Sequence, residues 1–282
     1  MAELLTVADL RVAYGSGRRA VEVLAGVSLT IQPGETVGLV GESGSGKTTL
    51  GRAVLGLVRP SGGSIVFAGE DITNAGRTQR RRISRSLQVV FQDPYSSLDP
   101  SMRVRDILIE PLIAQRLGRR EAVARVAELL DRVAMPTNAL DRYPREFSGG
   151  QRQRIAIARA LALRPRLIVC DEPVSALDLT TQEKVLDLLI GLQEDTGVAY
   201  LFISHDLEVI RHVSHRVAVM RHGEIVESGP AARVTQVPSH PYTQRLWAAH
   251  LSADPEEQRR RRALRQGLLV GAGKQQVLSV DP

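Results

Sequence analysis

Residues 36–57 read TVGLVGESGSGKTTLGRAVLGL. The first five, Thr36–Val40, have the apolar, β-rich character of a short buried strand entered through the turn Pro33-Gly34. The last nine, Thr49–Leu57, have helical character. Between them, Gly41-Glu42-Ser43-Gly44-Ser45-Gly46-Lys47-Thr48 fits G-x-x-x-x-G-K-[ST], in the strand–loop–helix setting that a P-loop requires. Such a loop wraps phosphates with backbone N–H groups, reaches the β and γ oxygens with Lys47 and holds Mg²⁺ with Thr48. Composition sharpens the reading. Lysine occurs only at positions 47, 184 and 274, and the rest of the 37 basic residues are arginine. A compact ammonium on a flexible stem suits the loop, where a planar guanidinium does not.

Around this unit, residues 4–14 and 24–31 look like strands, and Ser64–Phe67, Ala68-Gly69 and Asp71-Ile72 suggest a hairpin. Leu87–Phe91, Leu167–Cys170, Ala199–Ile203 and Arg216–Met220 read as buried parallel strands with helical patterns between them. That alternation predicts an α/β sheet with helices on both faces. From about Pro94 to Pro165 no strand is evident. Val123, Val126, Ala127, Leu130 and Val133 recur at helical spacing, with Arg125, Glu128 and Asp131 opposite. A helical subdomain inserted into the α/β core is expected there. After Gly223 comes a strand-like GEIVESG, then a polar segment. The tail from Ser252 is charged and unpatterned, and is expected to be loosely ordered.

Near the end of the helical stretch lies FSGGQRQR, residues 147–154, followed by a helix-like Ile155–Leu163. A serine, two glycines and a helix start form a second place to receive an anion: Ser148 can cap the helix, and Gly149 and Gly150 admit close approach. The apolar run Leu167–Cys170 ends in Asp171 and Glu172. An aspartate at that end of a strand can meet the Mg²⁺ of a neighbouring P-loop, and Glu172 is placed to polarise water. His205 and Gln92 each follow a strand, where ligands of parallel sheets gather. Tyr14 ends the first strand and can stack on adenine; an ordinary edge aromatic is the alternative. Cys170 reads as core packing.

Bulk properties narrow the classes. The 282 residues are 43% hydrophobic and contain no apolar run of membrane-spanning length. MAELLTVADL does not read as a secretory signal. One cysteine excludes disulfides and cysteine-ligated clusters within the chain, and suits a reducing cytoplasm. The net charge of +6 fits nucleic acid or an anionic membrane face as a partner, and is read first as the basic surface of a soluble enzyme. Arg80–Arg82 and Arg259–Arg262 lack interleaved aromatics, so no nucleic acid is expected as a partner.

In order, Tyr14, GESGSGKT at 41–48, Gln92, SGGQ at 148–151, LIVCDE at 167–172, SALD at 175–178 and His205 resemble the nucleotide-binding subunits of ABC transporters, over about residues 4–229. The resemblance implies an α/β, RecA-like P-loop NTPase core with an N-terminal antiparallel β subdomain and an inserted α-helical subdomain. It divides the chain into 1–92 (the β subdomain and the first part of the core), 93–165 (the helical subdomain), 166–229 (the rest of the core) and 230–282 (a C-terminal extension). It implies ATP and Mg²⁺ as cofactors, with Thr48, Gln92 and Asp171 on the metal and Glu172, His205 and Lys47 as catalytic residues. Tyr14, Gly41–Thr49, Gln92, Ser148, Gly149, Gly150, Gln151, Asp178 and His205 would bind nucleotide.

The family also answers why one chain carries two phosphate cradles. Its ATPase domains pair head to tail, so that Ser148 and Gly150 would grip a γ-phosphate bound on a second, homologous ATP-binding subunit, expected to be a different chain. Further implied partners are transmembrane permease subunits, contacted through Pro94–Arg105, and indirectly an extracytoplasmic solute-binding protein. The chain would sit peripherally on the cytoplasmic face of the membrane. VVFQDPYSSLDP at 89–100 and PSHPYTQRL at 238–246 look like subunits serving dipeptide, oligopeptide and nickel importers. The cysteine-rich segment of many peptide-type members is lacking, so no iron–sulfur cluster is implied. A non-transport ABC ATPase acting on nucleic acid or ribosomes is the alternative, but the sequence has none of the coiled-coil insertions, zinc sites or paired cassettes usual there. A regulatory switch with little turnover fits poorly with Glu172 and His205 in place.

Overall fold

The computed structural model of the chain describes residues 2–15, 17, 20–93 and 97–249. The tail from Ser252, together with Pro94, Tyr95 and Ser96 of the expected membrane-partner segment, lies outside the described residues. Two sheets form the frame. The first has the order β2-β1-β4-β5 and is antiparallel, built from β1 (Leu5–Tyr14), β2 (Val21–Ile31), β4 (Gly62–Phe67) and β5 (Glu70–Asp71). The second has the order β10-β9-β3-β8-β7-β6. Within it β3 (Thr36–Val40), β6 (Leu87–Val90), β7 (Leu167–Asp171), β8 (Ala199–Ile203) and β9 (Arg216–Arg221) are parallel, and β10 (Glu224–Pro230) closes one edge antiparallel.

Every residue of β3 and β8 is buried, as continuous apolar strands covered on both faces should be. Their alternation divides the core in two. Val37, Leu39, Leu201 and Ile203 face a cluster shared with the antiparallel sheet and α1 (Lys47–Leu55). Val40, Tyr200 and Phe202 face a second cluster built with the helical segment. That segment holds α3 (Val104–Ala114), α4 (Arg119–Arg132) and α5 (Gly149–Leu161), with two 3₁₀ turns between α4 and α5. Among its described residues there is no strand. Further helices among the described residues are α2 (Arg77–Ile83), α6 (Leu179–Thr196), α7 (Leu207–Val213), α8 (Ala231–Gln236) and α9 (Pro241–Ala249).

Local differences from the sequence reading have physical reasons. α1 starts two residues early, at Lys47, and stops before Gly56, whose left-handed conformation (φ 73°) ends it despite the apolar Leu57 beyond. The hairpin at Ala68-Gly69 forms as expected, both residues at positive φ, and its second strand is Glu70–Asp71. The buried face of α4 is rotated: Ala122, Val126, Leu129 and Leu130 are buried, while Val123, Ala127 and Arg125 are half-buried. α5 begins at Gly149, six residues before the expected Ile155. The segment after β10, read as polar, contains α8 and α9. Ala231, Val234, Tyr242 and Trp247 from these helices join the second core cluster, so this part of the expected extension is packed into the body of the fold.

Trp247 is 6% exposed. Trp247→Ala should therefore lower stability by about 3 kcal/mol or more, the usual penalty for deleting a buried indole. Urea unfolding measures this, and a loss below about 1 kcal/mol would show that α9 is detachable.

Candidate functional site

β3 ends at the centre of its sheet, flanked by β9 and β8, and its last residue leads directly into the P-loop. Gly41 has φ 155°, and a Cβ there would stand 2.2 Å from the Met220 carbonyl oxygen and 2.7 Å from Ser45 Oγ. No side chain fits. The floor beneath is the β9–β10 hairpin, a tight turn with His222 and Gly223 both at positive φ. The Gly223 N–H donates to the Ser45 carbonyl at 3.0 Å. At the far end of the loop Gly46 (φ 103°) is the N-cap of α1 and supplies no side-chain cap, so the first N–H groups of the helix stay free for an anion.

Lys47 is 6% exposed and folds back over the loop, its Nζ donating to the carbonyls of Gly41 at 2.8 Å and Glu42 at 2.9 Å. Burial holds its ammonium below the ordinary lysine value, against the pull of Glu172, Asp171 and Glu42. The Thr48 hydroxyl donates to Asp171 Oδ1 at 3.1 Å, joining the start of α1 to the end of β7. Burial raises Asp171 above the usual carboxylate range, although Thr48, Arg52 and Lys47 favour its anion. Hydroxyl and carboxylate oxygens are hard donors of the kind Mg²⁺ takes. Among the described residues no group of three His, Cys, Asp or Glu side chains is placed to hold a metal. The pair therefore fits Mg²⁺ that keeps waters and arrives with phosphates, rather than an all-protein cage.

Glu172 sits at φ 51°, a left-handed conformation uncommon for a side chain of its kind, held by its N–H to the Ile203 carbonyl at 2.9 Å. Its Oε1 meets His205 Nδ1 at 3.0 Å. Glu172, directly after β7, and His205, two residues after β8, are thereby paired across the adjacent ends of those strands. A carboxylate hydrogen-bonded to an imidazole can orient and polarise water. Cys170, fully buried, has its thiol pushed up by burial and serves as packing.

One cleft of about 540 Å³ is lined by Val23, Ser43, Gly44, Gly46, Lys47, Thr48, Thr49, Gln92, Glu172 and His205. Gly41, Glu42, Ser45 and Asp171 are not part of the lining; Asp171 is reached through Thr48. Tyr14 stands at the end of β1, 44% exposed beside Val21 and outside the lining.

Ser148–Gln151 and Asp178 are also outside it. Ser148 caps α5 in a closed capping box: its Oγ accepts from Gln151 N at 3.3 Å, and its own N–H donates to Gln151 Oε1 at 3.0 Å. Asp178 caps α6, accepting from Thr181 N at 3.0 Å, a bond that holds its carboxyl below the usual range. The two caps are neighbours. A Cβ on Gly150 would lie 2.2 Å from Thr181 Cγ2, so a larger residue there would make Thr181 shift. The sequence reading missed this contact and also Tyr242, whose hydroxyl oxygen accepts from the Glu42 N–H at 3.2 Å. A pairing across 200 positions leaves no local signal.

A family model described as ABC transporter matches residues 24–175, over half the chain. The chain belongs to the ABC transporter family. Over 247 residues it is 53% identical to the glutathione import ATP-binding protein GsiA of Escherichia coli O157:H7, covering 87% of this chain and 40% of that protein. The protein of the same name from Shigella flexneri is 51% identical, with the same coverage. This ABC family chain thus spans about 40% of the length of the curated relatives it matches. Among solved structures, the dimeric ATP-binding cassette MJ0796 in a post-hydrolysis state with ADP and Pi aligns with a TM-score of 0.73 at 30% identity, covering 80% of this chain and 98% of that one. The cbiO1 protein of Clostridium perfringens, part of the ABC transporter complex cbiONQ, aligns with a TM-score of 0.75 at 27% identity, covering 83% and 91%. These likenesses support the expected family and the α/β cassette fold. No helix among the described residues is long and apolar enough to cross a membrane.

Asp171→Asn keeps an oxygen for the Thr48 hydroxyl and removes the buried charge. Since burial raises the folded-state pKa of Asp171, its ionised form opposes folding at neutral pH. That penalty fades as pH falls through the folded value toward the ordinary carboxylate range. D171N protein should melt above the parent at pH 7, and the gap should close near pH ~4. A gap of equal size at both pH values would assign the effect to something other than the buried charge.

Proposed function

We propose that this chain is the ATP-binding and ATP-hydrolysing subunit of an importer, working peripherally on the cytoplasmic face of a membrane with permease subunits. The observation that carries the reading is the division of the motifs. The P-loop, Gln92, Glu172 and His205 share one cleft, while Ser148–Gln151 at the start of α5 and Asp178 at the start of α6 stand outside it. A site split in this way needs a second cassette to complete it. The dimeric state of the MJ0796 cassette supports this, as does the ABC complex to which cbiO1 belongs. Identity to glutathione import ATP-binding proteins supports a small peptide as cargo.

In this reading the loop amides and Lys47 bind the β and γ phosphates, and Tyr14 offers a face for adenine. Thr48, Gln92 and Asp171 would hold Mg²⁺, which when bound neutralises phosphate charge. Glu172, oriented by His205, accepts a proton from the attacking water. Ser148 and Gly150 serve the nucleotide of the partner, a related second subunit, and Pro94–Arg105 meets the permease, whose solute-binding protein delivers cargo from outside.

Glu172→Gln keeps shape and nucleotide binding but weakens the base, so hydrolysis should fall by about 10²–10⁴-fold, with ATP accumulating in a closed dimer. Turnover near normal would move the role to another group, His205 first.

Ser148→Arg tests the division itself. It puts a bulky cation at the capped helix start and should cost about 10²–10³-fold in hydrolysis at the partner's site. Labelling of this chain's own P-loop by a photoreactive ATP analogue should survive. Loss at this chain's own site, with the partner untouched, would show that both cradles serve one nucleotide within the chain.

A further inference from the structure

The segment Pro238–Leu246 links β10 to the P-loop. Glu227 on β10 clasps the turn before α9. One carboxylate oxygen accepts from the Ser239 N–H at 2.7 Å and the Ser239 hydroxyl at 2.8 Å, and the other accepts from the His240 N–H at 3.0 Å. His240 Nδ1 in turn accepts from the Tyr242 N–H at 3.1 Å, and Gln244 Nε2 donates to the Pro238 carbonyl at 3.0 Å. The turn and first residues of α9 are therefore fixed to β10 before any contact with the loop is made. Tyr242, 4% exposed, lies with the Arg221 guanidinium 5.0 Å from its ring centroid, and its hydroxyl oxygen accepts from the Glu42 N–H at 3.2 Å. That amide opens the P-loop directly after Gly41.

We infer that α9 braces the P-loop, with Tyr242 a positioning residue that holds the Glu42 amide and thereby keeps the loop in the shape that receives phosphate. Two groups from the same hairpin-and-helix unit then grip the loop from beneath: Tyr242 takes the amide of its second residue, and the Gly223 N–H takes the carbonyl of Ser45. The Lys47 ammonium also ties the carbonyls of Gly41 and Glu42. A loop held in its binding shape spends less of its ligand's interaction on ordering itself. The effect on affinity rests on the nucleotide reading above, whereas the contact does not.

Tyr242→Phe removes the hydroxyl and retains the ring over Arg221. Amide hydrogen exchange of the unliganded full chain, read on peptides covering 41–47, should accelerate about 2–10-fold, the worth of one hydrogen bond. The dissociation constant for a non-hydrolysable ATP analogue with Mg²⁺ should rise by a similar factor, with KM for ATP rising more than kcat falls. Glu227→Gln, which weakens the clasp without touching the loop, should shift both readouts in the same direction. Unchanged loop exchange in both variants would overturn the brace. Faster exchange with unaltered affinity would also overturn it, leaving Tyr242 a purely structural residue. A parent protein that binds no nucleotide would sink the ATP reading instead, and loop exchange would still decide whether Tyr242 holds the loop.

Discussion

The carbonyl oxygen of Met220 lies where a Cβ on Gly41 would have to stand, and the site depends on that closeness. β3 runs between β9 and β8, so its exit passes over the end of one neighbour and beside the end of the other. A glycine lets the chain turn there without leaving the sheet. The turn brings the loop onto the β9–β10 hairpin and points the start of α1 at the cleft. Glu172 and His205, just past the ends of β7 and β8, reach the same cleft because parallel strands in register end together.

Charge burial sets the chemistry of that cleft. Lys47 and Asp171 are both shifted toward their neutral forms by burial, and each is satisfied within the protein, Lys47 by loop carbonyls and Asp171 by the Thr48 hydroxyl. A polyanion with a divalent cation would offer each of them a stronger partner. The left-handed backbone of Glu172 adds strain at the same place, and the bond from its N–H to the Ile203 carbonyl helps hold it.

The helix starts at Lys47 and Gly149 differ physically. α1 begins at a glycine without a side-chain cap and inside the cleft, so its N–H groups are open. α5 is capped by a serine whose box with Gln151 is closed, and it lies close enough to the start of α6 that a Cβ on Gly150 would displace Thr181. The first is a complete cradle supplied by a loop. The second is a capped start in which Ser148 and Gln151 are exposed and Gly150 is buried.

By itself the sequence determined the P-loop, the acids Asp171 and Glu172 at the end of β7, the strand that precedes His205 and the helical run between β6 and β7. Each is written in adjacent residues whose spacing matches one element, and the continuous apolar runs of β3, β7 and β8 allow little else. It also contained the helix start at Ser148, though the helix begins earlier than apolar periodicity suggests, because the glycines themselves form its first turn. Tertiary structure alone decided which motifs share a cleft. Strand order, and not chain order, sets neighbours: β3 stands beside β9 and β8, which lie far along the chain. The same holds for α8 and α9, whose few apolar residues look polar in a row and become core only where Tyr242 and Trp247 meet the second cluster. The bond from the Glu42 N–H to Tyr242, 200 positions away, exists only because β10 returns along β9 and carries α9 back beneath the loop, an arrangement that no local pattern of residues encodes.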